Sequence, residues 1–204
     1  MQSDLELLDR WRAGDEDAGN ALFDRHFEAL YRFFRNKVGD GIDDLVQQTM
    51  LGCVSGRERF REDASFRTYL FAIARNVLFK HFDRRSRDAD RFDPEQQSVA
   101  DLGESPSHIA AARAEQRLLA LALRQLPLDD QIALELYYWE EMTAVELAQT
   151  LGLTEPAVRS RLRRALERLR ERVAAAADSP AALESVSLDL DRWAAALRPT
   201  GDHD

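Results

Sequence analysis

The sequence predicts an all-α protein: two small helical domains joined by a flexible linker, the second containing a helix-turn-helix, plus a C-terminal amphipathic helix. Three observations predict it. Apolar residues recur at helical spacing and no strand-like alternation is sustained. A stretch with Pro94, Gly103 and Pro106 and few large apolar residues divides the chain near residues 88–108. Thr143 to Glu171 then places a capping box, a glycine turn and an Arg-rich amphipathic segment in series. The 204 residues allow one large domain or two small ones, and 45% apolar content suffices for a core.

The elements follow in order. Leu22, Phe23, Phe27, Leu30, Phe33 and Phe34 mark one helix. Leu45, Val46, Met50 and Val54 mark a second, with Asp43 and Asp44 in its first turn, where acids favour the helix dipole. Phe66, Tyr69, Leu70, Ile73, Val77 and Leu78 mark a third. The expected boundaries are a first domain over 1–87, an acidic linker over 88–108, a second domain over 109–175 and an extension over 176–204. Within the second domain, Ile109–Leu126, Asp130–Trp139, Thr143–Leu151 and Thr154–Ala177 are helical in pattern.

The most specific motif is TAVELAQTLGLTEPAVRSRLRRALERLRE. Thr143 and Glu146 form the capping box; Leu147, Ala148 and Leu151 give an inner face. Gly152 supplies a turn at which positive φ costs little. Val158, Leu162, Ala165, Leu166 and Leu169 form a stripe, and Arg159, Ser160, Arg161, Arg163, Arg164 and Arg168 lie off it. Such a helix behind a tight turn suits a DNA major groove, where Arg neutralises phosphate or pairs with guanine. The competing reading is a helical hairpin with a solvated basic face.

A formal charge of −9 would by itself argue against a nucleic-acid partner. The average hides two positive islands, residues 57–91 and 154–172, each net +4 in an acidic background. Local potential acts within about 8–10 Å, so the islands matter more than the total. The first interleaves Phe60, Phe66, Tyr69, Phe71, Phe79 and Phe82 with Arg and Lys. That pattern suits stacked bases and phosphates of a single strand, although most of its aromatics also suit a core.

Together these motifs resemble a bacterial sigma factor of the extracytoplasmic-function (ECF) type. The resemblance covers about residues 5–172 and rests on DDLVQQTML (Asp43–Leu51), FRTYLFAIARN (Phe66–Asn76) and the segment from Leu123 to Glu171, in that order. It implies a transcription initiation factor that binds core RNA polymerase and directs it to promoters by recognising minus-35 and minus-ten elements and assisting strand opening. Asp43, Asp44, Val46, Gln47 and Gln48 match the helix that docks on the polymerase clamp helices. Phe60, Arg61, Glu62, Asp63, Ala64 and Ser65 match the loop that captures a flipped minus-ten base. Arg67, Tyr69, Asn76, Lys80, Arg84 and Arg85 match the path of the melted strand, with Tyr69 where the family usually has Trp. Arg159, Ser160, Arg161, Arg163 and Arg164 match minus-35 recognition positions. The polymerase flap is the partner implied for the second domain, and the resemblance leaves room for an anti-sigma factor.

Two other classes compete. A conventional helix-turn-helix regulator predicts an N-terminal domain with β-strands, and none is visible in the pattern. An enzyme is disfavoured: His26, His81, His108 and His203 are scattered, and no metal spacing, nucleophile signature or glycine-rich phosphate loop occurs. No catalytic residue, metal site or cofactor is expected. Cys53 is alone, and no apolar run approaches the roughly 20 residues that span a bilayer, so a cytoplasmic protein without membrane insertion is expected. Beyond residue 178, Leu183, Val186, Leu190, Trp193 and Leu197 fall on one helical face, which predicts a docked amphipathic helix.

Overall fold

The structure is a computed structural model that describes residues 2–60, 64–85, 92–102 and 114–176. The predicted C-terminal helix, the loop residues Arg61, Glu62 and Asp63, and the outer parts of the linker lie outside the described residues. The described elements are α1 (Asp4–Arg12), α2 (Glu16–Arg35), α3 (Ile42–Gly56), a single 3₁₀ turn (Arg57–Arg59), α4 (Phe66–Arg85), α5 (Ala114–Leu123), α6 (Leu128–Tyr138), α7 (Ala144–Leu151) and α8 (Glu155–Ala176). No strand occurs among the described residues; a lone bridge joins Ser98 to Pro127.

Helix α1 goes beyond the sequence reading. Its Ser3–Glu6 capping box satisfies two otherwise orphaned N–H groups, and Leu7, Leu8 and Trp11 face inward. Gly19 lets α2 approach the Trp11 indole, where a Cβ would fall 2.6 Å from the ring. Gly52 does the same between α3 and Ile73 of α4, at 2.8 Å. The stripes of α2, α3 and α4 then close one core around Leu22, Leu30, Phe34, Leu45, Cys53, Phe66, Leu70, Phe71 and Leu78.

The core does not stop at α4. Leu128, Ile132, Ala133 and Leu136 of α6, with Met142, Leu147, Leu151 and Val158, join the same cluster. The other side of α6, through Leu134, meets Leu119, Leu123, Leu126, Ala165, Leu169 and Val173. Helix α6 is therefore buried on both sides, from Leu128 through Leu136. Its acids Asp129, Asp130 and Glu135 are buried too. A buried carboxylate must be paired. Asp129 accepts from Arg75 of α4, Asp130 from Arg168 of α8, and Glu135 from Lys37 and from Gln131. Burial pulls the Lys37 ammonium below the ordinary lysine value, against the opposing pull of Glu135.

Residues 92–102, from the stretch expected to be a flexible linker, are docked on this core. Phe92 and Val99 are buried. Phe92 meets Phe79 edge-on at 5.9 Å and lies 5.6 Å from Phe82. Helix α6 has no side-chain cap at Pro127. The strap supplies one instead: Leu128 N–H donates to the Gln97 carbonyl and Asp129 N–H to the Pro94 carbonyl, each at 3.0 Å.

Candidate nucleic-acid and polymerase interfaces

The helix-turn-helix is built as its sequence dictates. Thr143 Oγ1 accepts from Glu146 N–H at 3.2 Å, and Thr143 N–H donates to the Glu146 carboxylate at 2.8 Å. Gly152 ends α7 at φ 68°, the left-handed region, so its predicted role holds. Val158, Ala165 and Leu169 anchor α8 by its inner face.

Arg159, Arg163 and Arg164 are exposed on the outer side of α8, with Ser160 half-buried beside them. Arg164 donates to Ser160 Oγ at 3.0 Å, Arg163 pairs with Glu167 at 3.3 Å, and Arg159 pairs with Glu155. Exposed i,i+4 pairs of this kind hold weakly, so the guanidiniums remain available to an anion. Arg161 is placed differently. At about 100° per residue it lies roughly 200° round the helix from Arg159 and Arg163. Its side chain is only 11% exposed and binds Asp129 at 2.9 Å and Glu95 at 2.6 Å. The structure thus groups Arg159, Ser160, Arg163 and Arg164 and sets Arg161 apart from them.

On α4, Asn76, Lys80, Arg84 and Arg85 are exposed, and Arg67 and Tyr69 are half-buried. Arg67 lies 3.9 Å from Glu146, and Arg85 pairs with Asp40 at 3.3 Å. Ala64 is half-buried and Ser65 exposed; Ser65 Oγ accepts from Thr68 N–H, which starts α4. Phe60 is buried, 4.9 Å from Tyr69 in ring centroids, and so holds the loop's base rather than its tip. The fixing groups come from α1. Arg12 donates to the Arg57 and Phe60 carbonyls at 3.1 and 2.6 Å, while Arg57 lies over the Trp11 ring. Nothing in the sequence pattern marked Arg12, because its partners are backbone atoms more than forty residues away.

On α3, Asp43, Asp44, Gln47 and Gln48 share an exposed face. Val46 does not; it is 4% exposed and belongs to the core. The face extends instead to Leu51, 57% exposed, and Val54, 38% exposed. Leu51 follows Gln47 and Asp44 at spacings of 4 and 3, a helical signal that was available in the sequence. Among the described residues no three His, Cys, Asp or Glu are grouped to hold a metal, and no helix is long and apolar enough to cross a membrane.

Comparison with known proteins falls on the same elements. The "Sigma-70 region 2" family model matches residues 22–88, and the "Sigma-70, region 4" model matches residues 116–169. The chain is 31% identical over 170 residues to the ECF RNA polymerase sigma factor SigM of Mycobacterium tuberculosis, covering 82% of this chain and 83% of SigM. It is 27% identical to the ECF RNA polymerase sigma factor SigX of Bacillus subtilis, over 76% of this chain and 84% of SigX. A solved structure of CnrH in complex with the cytosolic domain of CnrY matches with TM-score 0.56 and 25% identity, covering 87% of this chain and 100% of that one. RpoE of Bartonella quintana, solved with the anti-sigma factor NepR, shares the fold at TM-score 0.58 and 20% identity, over 76% of this chain and 96% of that one.

Proposed function

This chain belongs to the sigma-70 family as an ECF-type sigma factor, a promoter-recognising transcription initiation factor, and from that premise we propose which of its surfaces does what. The exposed face of α3, Asp43, Asp44, Gln47 and Gln48 with Leu51 and Val54, docks on the clamp helices of core RNA polymerase. Its mixture of acids, amides and exposed aliphatics suits a protein partner better than a polyanion. The exposed polar and basic residues of α4, Asn76, Lys80, Arg84 and Arg85, track the melted minus-ten strand, with Tyr69 as the aromatic beside them. The loop before α4 takes the flipped base; unstacking costs a few kcal/mol, which a fitted pocket offsets.

Arg159, Ser160, Arg163 and Arg164 read the minus-35 duplex from the major groove. The observation that carries this reading is the exposure of Arg159, Arg163 and Arg164, with Ser160 among them, on one side of the second helix of a capped, glycine-turned pair. The domain limits proposed are 1–87 and 109–175, and the working compartment is the cytoplasm, where a core polymerase acts. An anti-sigma factor, the class of protein bound in the RpoE structure, is a further proposed partner.

The division of labour is testable with paired variants. Replacing Arg163 and Arg164 with Ala should lower minus-35-dependent initiation by about tenfold or more, as for lost phosphate or guanine contacts, and leave core binding intact. Replacing Asp44 and Gln47 with Ala should weaken core binding first. Loss of core binding in the Arg163/Arg164 variant would overturn the assignment. No observation favours a conventional regulator, since the N-terminal unit is helical over its described residues and matches region 2.

A further inference from the structure

Part of each positive island is tied to acids from other segments. Arg75 of α4 and Arg161 of α8 both bind Asp129 of α6, at 2.9 Å each. Arg161 is held from its other side by Glu95 of the strap at 2.6 Å. Arg32 meets Glu140 at 3.1 Å, and Arg124 donates to the Asn36 carbonyl at 2.7 Å. Lys37, in the turn just after α2, closes a further buried pair with Glu135 of α6. All but the Arg161–Asp129 pair, which lies within the region 4 half, join that half to the region 2 half or to the strap.

A closed arrangement of this kind has a size. A compact chain of this length has a radius of gyration of about 17 Å, hence a diameter of roughly 45 Å. Elements centred at minus-ten and minus-35 are separated by about 25 base pairs, or roughly 85 Å of duplex at 3.4 Å each. The closed molecule cannot span both, so the halves must part before two-element recognition.

We propose that residues 92–102 are an autoinhibitory strap, and that Arg161 is its latch on α8, held by Glu95 and Asp129, not a reader of the minus-35 sequence. This rests on the assignment of α8 and α4 to the two promoter elements. The location of Arg161 away from Arg159 and Arg163 is what points to it. The strap caps α6 with its carbonyls and covers Phe79 with Phe92, so its release uncovers part of the α4 surface and frees the α8 unit together. Core polymerase must supply the free energy of opening, and its apparent affinity is reduced by the closed fraction.

The test uses the full chain, labelled for energy transfer at Asp24→Cys on α2 and Arg170→Cys on α8, both exposed positions. Cys53 is buried and stays in place. Glu95→Gln should lower transfer efficiency and raise affinity for purified core polymerase by about threefold, the size of a modest ion-pair loss. Arg161→Gln should do both more strongly, by about tenfold, because it leaves a buried carboxylate short of a partner. The double variant should add little to Arg161→Gln, since both changes break one contact. Glu28→Gln, a charge-matched change on α2, should stay within about twofold of the unmodified chain. On a promoter whose initiation depends on Arg163 and Arg164, Arg161→Gln should keep its minus-35 dependence.

Unchanged transfer and core affinity in both variants would overturn the latch. So would loss of minus-35 dependence in Arg161→Gln, which would return Arg161 to the reading face. If the Arg163/Arg164 variant itself shows no minus-35 defect, the assignment of α8 fails separately from the strap.

Discussion

Cys53 sits fully enclosed in the core between α3 and α4, and burial pushes its thiol up to about 12. The thiolate, the reactive form, is then nearly absent at neutral pH. The native chain should react with a thiol reagent such as DTNB at least a hundredfold slower than the urea-unfolded chain; comparable rates would show that this core is open. Phe71 is a second sensitive point. It is wholly buried and meets Phe33 edge-on at 5.5 Å. Phe71→Ala should cost about 3–5 kcal/mol in denaturant unfolding, the range for a large aromatic lost from a packed core. At the same scale lies the difference between residues that were legible and those that were not. Asp43, Asp44, Gln47 and Gln48 were legible because polar residues between apolar ones on a helix face outward. Motif matching groups Val46 and Arg161 with their neighbours, although about 100° per residue turns them to different surroundings: Val46 into the core and Arg161 onto Asp129 and Glu95.

At the element scale the helix-turn-helix depends on its cap and its turn. Thr143 accepts from the Glu146 amide and the Glu146 carboxylate answers at the Thr143 amide. Thr143→Ala should lower the thermal stability of the α7–α8 unit by about 1 kcal/mol, readable as faster hydrogen exchange in α7. The strap has its own acid limit. Hydrogen bonds from the Ser98 hydroxyl and amide hold the Asp101 carboxyl below its ordinary value. The folded strap therefore keeps Asp101 charged where the unfolded chain has begun to protonate it. That stabilisation is present above about pH 4 and is lost as pH falls through the lower folded value. Asp101→Asn should flatten the acid side of the melting-temperature curve, and an unchanged curve would remove Asp101 from the account. These elements differ in how far sequence could reach them. The capping box and Gly152 are local signals, read correctly from a few residues. The strap is held by backbone carbonyls and two buried apolar side chains, Phe92 and Val99, in a segment whose composition reads as loop.

The whole molecule shows what local patterning does not carry. Seven of the eight helices among the described residues, all but α1, follow from periodicity, but the burial of α6 on both sides follows from long-range pairing. Asp129, Asp130 and Glu135 look like surface acids until Arg75, Arg168 and Lys37 arrive from other segments. The formal charge of −9 has the same character: acids of other segments pair with Arg75, Arg161 and Arg168 of the basic islands and leave the outer cations exposed. Small-angle scattering on the free chain should give a compact particle, and Lys37→Met should expand it, because it leaves the buried Glu135 without its cation. The pair Lys37→Met with Glu135→Leu should restore compactness; continued expansion would assign the effect to lost packing rather than to charge.

The central claim is that this chain confers promoter-specific initiation through surfaces on both halves. Run-off transcription with purified core polymerase on a genomic promoter library tests it most directly. Discrete start sites should appear only when the chain is added, and their minus-35 dependence should be lost in the Arg163→Ala, Arg164→Ala variant. Transcripts that are the same with and without the chain would contradict it.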